Sequence, residues 1–240
     1  MQKPVLRAIL FDKDGTIIDY WRTWLPINRK VALFAAGQDA ALAADLLRLG
    51  GQDPETGRVV PGSALAAGSI RDIAEAFAQH PRITLSRSLE AGIDRIFAQG
   101  GADHSVLVPG ARDTLVELRQ RGFRLGLATN DSNAGLAASL ADHDVLPLLD
   151  FTAGCDAGFG AKPLPGMVNA FATAVGCSNG AIAVVGDAVH DLAMGRAAGA
   201  GLNVAVLSGT SDHDDLAPYA DLVLDSVADM PAHDLFQAPA

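Results

Sequence analysis

Asp12-Lys13-Asp14-Gly15-Thr16 sets two carboxylates one residue apart, directly after the apolar run 5–11, and follows them with a glycine. If that run is a buried strand, the acids stand at its carboxyl end, where open α/β sheets bind ligands. Gly15 would let the backbone approach a ligand closely. A surface turn would use the same residue types, so the weight falls on what lies further along the chain. Residues 124–128 end in Thr129-Asn130, ahead of a helical stretch whose free N–H groups suit a phosphoryl oxygen, or for which these residues serve simply as N-cap. Lys162, the only Lys after Lys30, stands in the loop Gly160-Ala161-Lys162-Pro163-Leu164-Pro165. A third apolar run, 181–186, leads into Asp187 and, four residues on, Asp191. That spacing puts the second carboxylate in the first turn of the next helix, on the side facing the first. Capping would explain Asp187 but not both acids.

Gathered at one site, Asp12, Asp14, Asp187 and Asp191 would need a cation. Two like charges about 4 Å apart repel by about 4 kcal/mol at an effective dielectric near 20, and a phosphate dianion adds to the repulsion. Oxygen-only ligands beside phosphate point to Mg²⁺, and Lys162 would add a second positive charge.

Positioning these residues requires strands that end where the acids begin. Strand-like runs at 5–11, 124–129, 181–186, 201–206 and 222–224 are separated by helical patterns at 111–121, 132–143, 165–175 and 189–199, which implies βαβ units and a parallel sheet. Between Ile17 and His104 the pattern is helical only, at 25–37, 39–50, 68–79 and 84–99. The expected organisation is an α/β domain, a Rossmann-like parallel sheet with helices on both faces, made of 1–16 and 105–240 and interrupted by an all-helical cap at 17–104. The cap holds 9 Lys and Arg against 10 Asp and Glu, so nearly all of the net charge of −10 lies outside it. That acidity, with a pI of about 4.9, disfavours a nucleic-acid partner. The chain of 240 residues is 49% hydrophobic and can bury one substantial core plus a small satellite. No stretch has the length of a membrane helix, no signal peptide is evident, and Cys155 and Cys177 lack metal-site spacing. A cytoplasmic protein without membrane partners is the expectation.

The chain resembles the haloacid dehalogenase-like hydrolases, in particular the phosphoglycolate-phosphatase-like members with a helical C1-type cap inserted after the first motif. The resemblance rests on Phe11-Asp12-Lys13-Asp14-Gly15-Thr16, Ala128-Thr129-Asn130, Lys162-Pro163-Leu164-Pro165 and Gly186-Asp187-Ala188-Val189-His190-Asp191, in that order. It implies an aspartyl-phosphate mechanism in which Asp12 is the nucleophile and Asp14 the acid and then the base. Thr129 would bind a phosphoryl oxygen, Lys162 would offset charge, and Mg²⁺ would be held by Asp12, the Asp14 backbone carbonyl and Asp187. Asp191 would orient Lys162 or the metal shell. Relatives that act on halides or phosphonates lack an acid at the place of Asp14, which turns the expectation toward phosphate esters. A β-phosphoglucomutase-like phosphotransferase needs the same acid. A phospho-accepting receiver-like module is a further alternative, though its phosphoacceptor would lie on a middle strand. A dinucleotide binder is disfavoured because no G-x-G-x-x-G follows the first strand.

The expected substrate is a small phosphorylated metabolite, with phosphoglycolate a candidate. Asp19-Tyr20-Trp21-Arg22-Thr23-Trp24 opens the cap with both tryptophans of the chain. Either Trp could wall the pocket or simply pack the hinge, and Arg22 or Arg71 could pair a substrate carboxylate or second phosphate. His190 reads as a solvated first-turn residue. Hinges are expected at 17–20 and 100–109.

Overall fold

A computed structural model describes residues 5–237; the first four and last three residues of the expected core segment lie outside the described residues. Six parallel strands form one sheet in the order β3-β2-β1-β4-β5-β6. They are β1 (Ala8–Phe11), β2 (Arg124–Ala128), β3 (Phe151–Ala153), β4 (Ile182–Gly186), β5 (Leu202–Val206) and β6 (Leu222–Leu224). The chain winds outward from β1 to β3, then returns to build β4 to β6 on the other side. The order therefore reverses between β1 and β4, and the crevice outside their carboxyl ends is where such sheets take ligands.

Strands buried on both faces read as nearly continuous apolar runs, and every residue of β1, β4 and β5 is buried. Their side chains still alternate between layers. Ile9, Phe11, Leu125, Leu127, Val185 and Val204 pack toward α6 (Ala111–Gln120) and α7 (Asn133–Leu140). Ala8, Leu10, Ile182 and Val184 pack toward α8 (Gly166–Val175) and α9 (Val189–Ala198). A short α10 (His213–Leu216) precedes β6.

Residues between β1 and α6 form α1 (Tyr20–Ala35), α2 (Ala40–Gly50), α3 (Ala64–Ala67), α4 (Ile70–Phe77) and α5 (Arg87–His104). These helices have their own apolar cluster, in which Tyr20, Trp24, Ile27 and Val31 of α1 meet Leu46, Phe77 and Ile93. Ile17 and Ile18, by contrast, pack with the sheet. The two chain segments joining cap and sheet pair with each other: Ile18 bridges Leu107 antiparallel, and Asp19 N–H donates to Val106 O at 2.8 Å.

Three local readings differ from expectation. α1 starts at Tyr20, ahead of the expected 25, because Asp19 caps it by accepting from Arg22 N–H, and Pro26 sits inside the helix. α5 continues past 99 to His104, through the buried Gly100 and Gly101. A Cβ on Gly100 would overlap Ile27, so the glycine that looked like a helix end is a close-packing position. β3 was not expected; its three residues form an edge strand, too short to carry a period. Among the described residues, no helix is long and apolar enough to cross a membrane.

Candidate active site

Asp12 leaves β1 with its N–H bonded to Val185 O at 2.8 Å, which fixes it beside the end of β4. Asp187 follows β4, and Asp191 occupies the first turn of α9. One carboxylate oxygen from each of Asp12, Asp187 and Asp191 lies within 4.8 Å of the others, and all three residues are buried. This donor set, three hard oxygens held close in the interior, fits a divalent cation. The Asp14 carboxylate is not part of the cluster, so a contribution from Asp14 to a cation would fall to its backbone carbonyl.

Lys162 is pinned between two of these acids. Its Nζ donates to Asp12 Oδ1 and to Asp191 Oδ1, the latter at 2.7 Å. The loop bearing it is held by Asn130, whose Oδ1 accepts from Lys162 N–H at 2.8 Å, and the Lys162–Pro163 peptide is cis. Asn130 thus spends its side-chain oxygen on the loop that presents Lys162. Asp191 spends both oxygens, one on Lys162 and the other on Ala188 N–H at 3.1 Å. Thr129 Oγ1 accepts from Asp131 N–H at 3.1 Å, which leaves its own O–H able to donate.

The electrostatics follow from burial. Desolvation raises the Asp12 carboxyl to about 7, with Lys162 opposing and Asp191 and Asp14 adding to the rise. Burial, then Asp12 and Asp191, push Asp187 well above the usual carboxylate range. Burial works against charge on Asp191 too, but His190 and Lys162 hold it below that range. Lys162 is likewise desolvated, yet Asp12 and Asp191 raise it. Without a cation, the cluster holds more negative charge than it can keep.

Two glycines make room for Asp187. Gly15 has φ 89°, and a Cβ there or on Gly209 would collide with the Asp187 carboxylate. That carboxylate also accepts from Thr210 N–H at 3.1 Å, and Ser208 Oγ donates to Gly15 O at 2.6 Å. The loop 208–210 after β5 was not among the residues expected at the site, because nothing in its composition sets it apart from an ordinary turn.

Asp14 faces the cap. Trp24 Nε1 donates to Asp14 Oδ1 at 2.6 Å, and Lys13 Nζ pairs with Asp14 Oδ2 at 3.0 Å and Asp131 Oδ2 at 2.9 Å. The Lys13 ammonium also lies 4.9 Å from the Trp24 ring centroid. Desolvation raises Asp14, with Lys13 opposing and Asp131 adding to the rise. Trp21 reaches across as well, donating from Nε1 to Gly209 O at 3.2 Å. Trp24 therefore lines the site, and both tryptophans join cap to core. Neither Lys13 nor Asp131 was singled out from the sequence.

A cavity of about 100 Å³ lies between these acids and the cap; Asp12, Asp14, Thr129, Asn130 and Asp187 line its floor. Tyr20, Trp24 and Asn28 line it from α1. Arg22 and Arg71, the expected anion partners, do not line it. Arg22 is exposed, and Arg71 is turned to Glu75 at 2.6 Å and Glu90 at 2.7 Å on the cap surface. His190 lines the cavity and is half-buried rather than solvated, its Nε2 3.3 Å from Asp191 Oδ1.

Comparison with known proteins agrees with this geometry. A phosphoglycolate phosphatase of Shigella boydii is 26% identical over 212 residues, covering 81% of this chain and 79% of that protein. Among solved structures, a predicted phosphoglycolate phosphatase from Haemophilus somnus superposes with a TM-score of 0.74 at 19% identity, over 95% of this chain and 97% of that one. CbbY from Rhodobacter sphaeroides, solved with phosphate, gives 0.69 at 20% identity over 94% and 96%; at such identities the likeness is one of fold. The family profile of haloacid dehalogenase-like hydrolases matches residues 6–199. A match that runs from before β1 through α9 takes in every charged residue of the site, and the chain belongs to the haloacid dehalogenase-like hydrolase family.

Proposed function

We propose that this protein is a Mg²⁺-dependent phosphatase that hydrolyses a small phosphorylated metabolite through an aspartyl-phosphate on Asp12. The observation that carries the reading is Lys162 Nζ bridging Asp12 and Asp191 beside Asp187, at the switch point of the sheet. An acid so placed is a nucleophile whose negative charge is balanced on one side by a fixed ammonium.

Asp12 attacks phosphorus, the bond to the ester oxygen breaks, and the departing alcohol takes a proton from Asp14. Water then attacks the phosphoryl group, Asp14 accepts its proton, and inorganic phosphate leaves with the Asp12 carboxylate restored. The Thr129 hydroxyl donates to a phosphoryl oxygen. Asp12, Asp187 and the Asp14 carbonyl are assigned to Mg²⁺, which supplies neutralisation and orientation of the phosphoryl oxygens. Asp191, both of whose oxygens are engaged, is assigned to holding Lys162. Phosphoglycolate, the substrate named for the curated relatives, is a candidate substrate.

The test is turnover of p-nitrophenyl phosphate with and without Mg²⁺, in the parent chain and in Asp12→Asn. Mg²⁺-dependent turnover that falls by on the order of 10³ or more in the variant is expected. Stoichiometric, long-lived phosphorylation without turnover would mark a phospho-accepting module, and turnover unaffected by Asp12→Asn would place the nucleophile elsewhere.

A further inference from the structure

The cap side of the cavity is apolar and carries no Lys or Arg. Trp24, Leu65, Ile70, Ile73 and Phe97 form its wall. The buried ammonium groups nearby are already engaged, Lys13 by Asp14 and Asp131 and Lys162 by Asp12 and Asp191. His190, the one imidazole in the lining, already has a carboxylate partner in Asp191. A carboxylate or second phosphate on the leaving group would enter this space without a counter-charge, and burying an unpaired charge is costly.

Set into the apolar wall is one polar group with unused capacity. Asn28 is fully buried and lines the cavity. Its Nδ2 donates to Gln52 Oε1 at 2.9 Å and to the Tyr20 hydroxyl at 3.4 Å, while its Oδ1 has no partner among the described residues. Gln52, whose own Nε2 is also unpaired among the described residues, is buried beside it. Tyr20, which lines the cavity too, donates its hydroxyl to Leu65 O at 2.7 Å, so the amide nitrogen is held by two anchored neighbours. A buried unpaired amide end is unfavourable unless a ligand meets it. A hydroxyl, which can donate or accept, satisfies either end of an amide.

We propose that the alcohol released from the phosphate ester is uncharged, with an apolar body against the Trp24–Phe97 wall and a second hydroxyl bonded to Asn28. This rests on the phosphatase reading and narrows its substrate, away from two-carbon acids and toward neutral diols or larger hydroxylated alcohols.

The experiment compares kcat/KM of the full chain with Mg²⁺ on three matched ester series of two to six carbons: ω-hydroxyalkyl, ω-carboxyalkyl (phosphoglycolate being the shortest) and plain n-alkyl phosphates. The hydroxyalkyl series is expected to exceed the carboxyalkyl series by about tenfold or more at its best length. Asn28→Leu should collapse the ratio of hydroxyalkyl to alkyl turnover toward unity, and Ile70→Arg should shift preference toward the carboxyalkyl esters. Carboxyalkyl esters turned over as well as or better than hydroxyalkyl ones by the parent chain would overturn the proposal while leaving the phosphatase reading intact, and that comparison needs no variant to fold. A hydroxyalkyl preference unchanged in a folded Asn28→Leu protein would overturn the assignment to Asn28. Absence of turnover on every ester, p-nitrophenyl phosphate included, would sink both readings together.

Discussion

Five acids (Asp12, Asp14, Asp131, Asp187 and Asp191) and two lysines within one site make the protonation state of each residue depend on the others. Asp12 is the clearest case, raised from 3.8 to about 7 chiefly by burial. A carboxyl whose folded pKa lies above its unfolded value binds its proton more tightly when folded. It therefore contributes stability in full below about 3.8 and loses it as pH rises through about 7. Asp187, shifted in the same direction, adds to that loss. Asp191 is shifted the other way, so its own contribution is present above the ordinary carboxylate range and is lost only in acid. The metal-free protein should thus lose stability as pH rises from about 4 to about 7. A divalent cation takes the place of the protons, so Mg²⁺ should raise Tm more at about pH 8 than at about pH 5.5, with proton release on binding. Thermal melts at the two pH values check this, and an equal Mg²⁺ effect at both would contradict it. Trp24 permits a second test at the same scale. Trp24→Phe keeps a ring near Lys13 but removes the bond to Asp14 that helps hold its carboxyl down. Loss of that charge-assisted bond should cost about 1.5–3 kcal/mol of stability. The pH–rate limb belonging to Asp14 should move upward, which simple loosening of the cap would not produce.

At the scale of elements, the site is made by strand ends and by loops that leave space for them. β1 and β4 carry Asp12 and Asp187, and the loop after β5 closes over Asp187 through Thr210 N–H. Gly209 permits that approach. Gly209→Ala should force the Asp187 carboxylate aside and weaken Mg²⁺ binding by about 10–100-fold, measured by titration calorimetry on a variant confirmed as folded by its thermal melt. The sheet elements were legible in the sequence because buried parallel strands are short apolar runs, and those of β1, β2 and β4 end abruptly at Asp12, Thr129 and Asp187. What was not legible depended on tertiary context. β3 is defined by pairing with β2 along its edge. Loop 208–210 matters through its distance to Asp187, which no local pattern records. Arg22 and Arg71 were read as anion partners from charge and position in the cap, but solvent and neighbouring Glu side chains claim them. The residues that do face the cavity, Tyr20, Trp24 and Asn28, recur every four positions on α1. In the sequence either Trp reads as a pocket wall or as hinge packing, but with the helix expected to start at 25 the spacing of Tyr20, Trp24 and Asn28 cannot appear as one face. It does so because Asp19 caps α1 and starts the helix at Tyr20.

The whole molecule is two packed units that share a reaction space. The cap has its own apolar cluster and the sheet has others, and the two linkers between them pair as a short ribbon at Ile18 and Leu107. Contact across the site is made by side chains of α1: Trp21 to the Gly209 carbonyl and Trp24 to Asp14. Beside it, Ser105 Oγ at the end of α5 donates to Ser139 O at 2.7 Å. These few polar contacts across the site and the short ribbon between the linkers motivate the prediction that the cap opens for substrate and closes to exclude water. If the cap must swing, holding it shut should penalise substrates by size. A short bis-maleimide joining cysteines placed at Trp21 and Thr210, in a chain with Cys155→Ser and Cys177→Ser, spans the contact between α1 and the loop after β5. Cross-linking should suppress turnover of bulky aryl phosphates by about tenfold or more relative to methyl phosphate, while the same double-cysteine chain left unlinked retains activity on both. Equal suppression at every substrate size would argue against gating of entry by the cap.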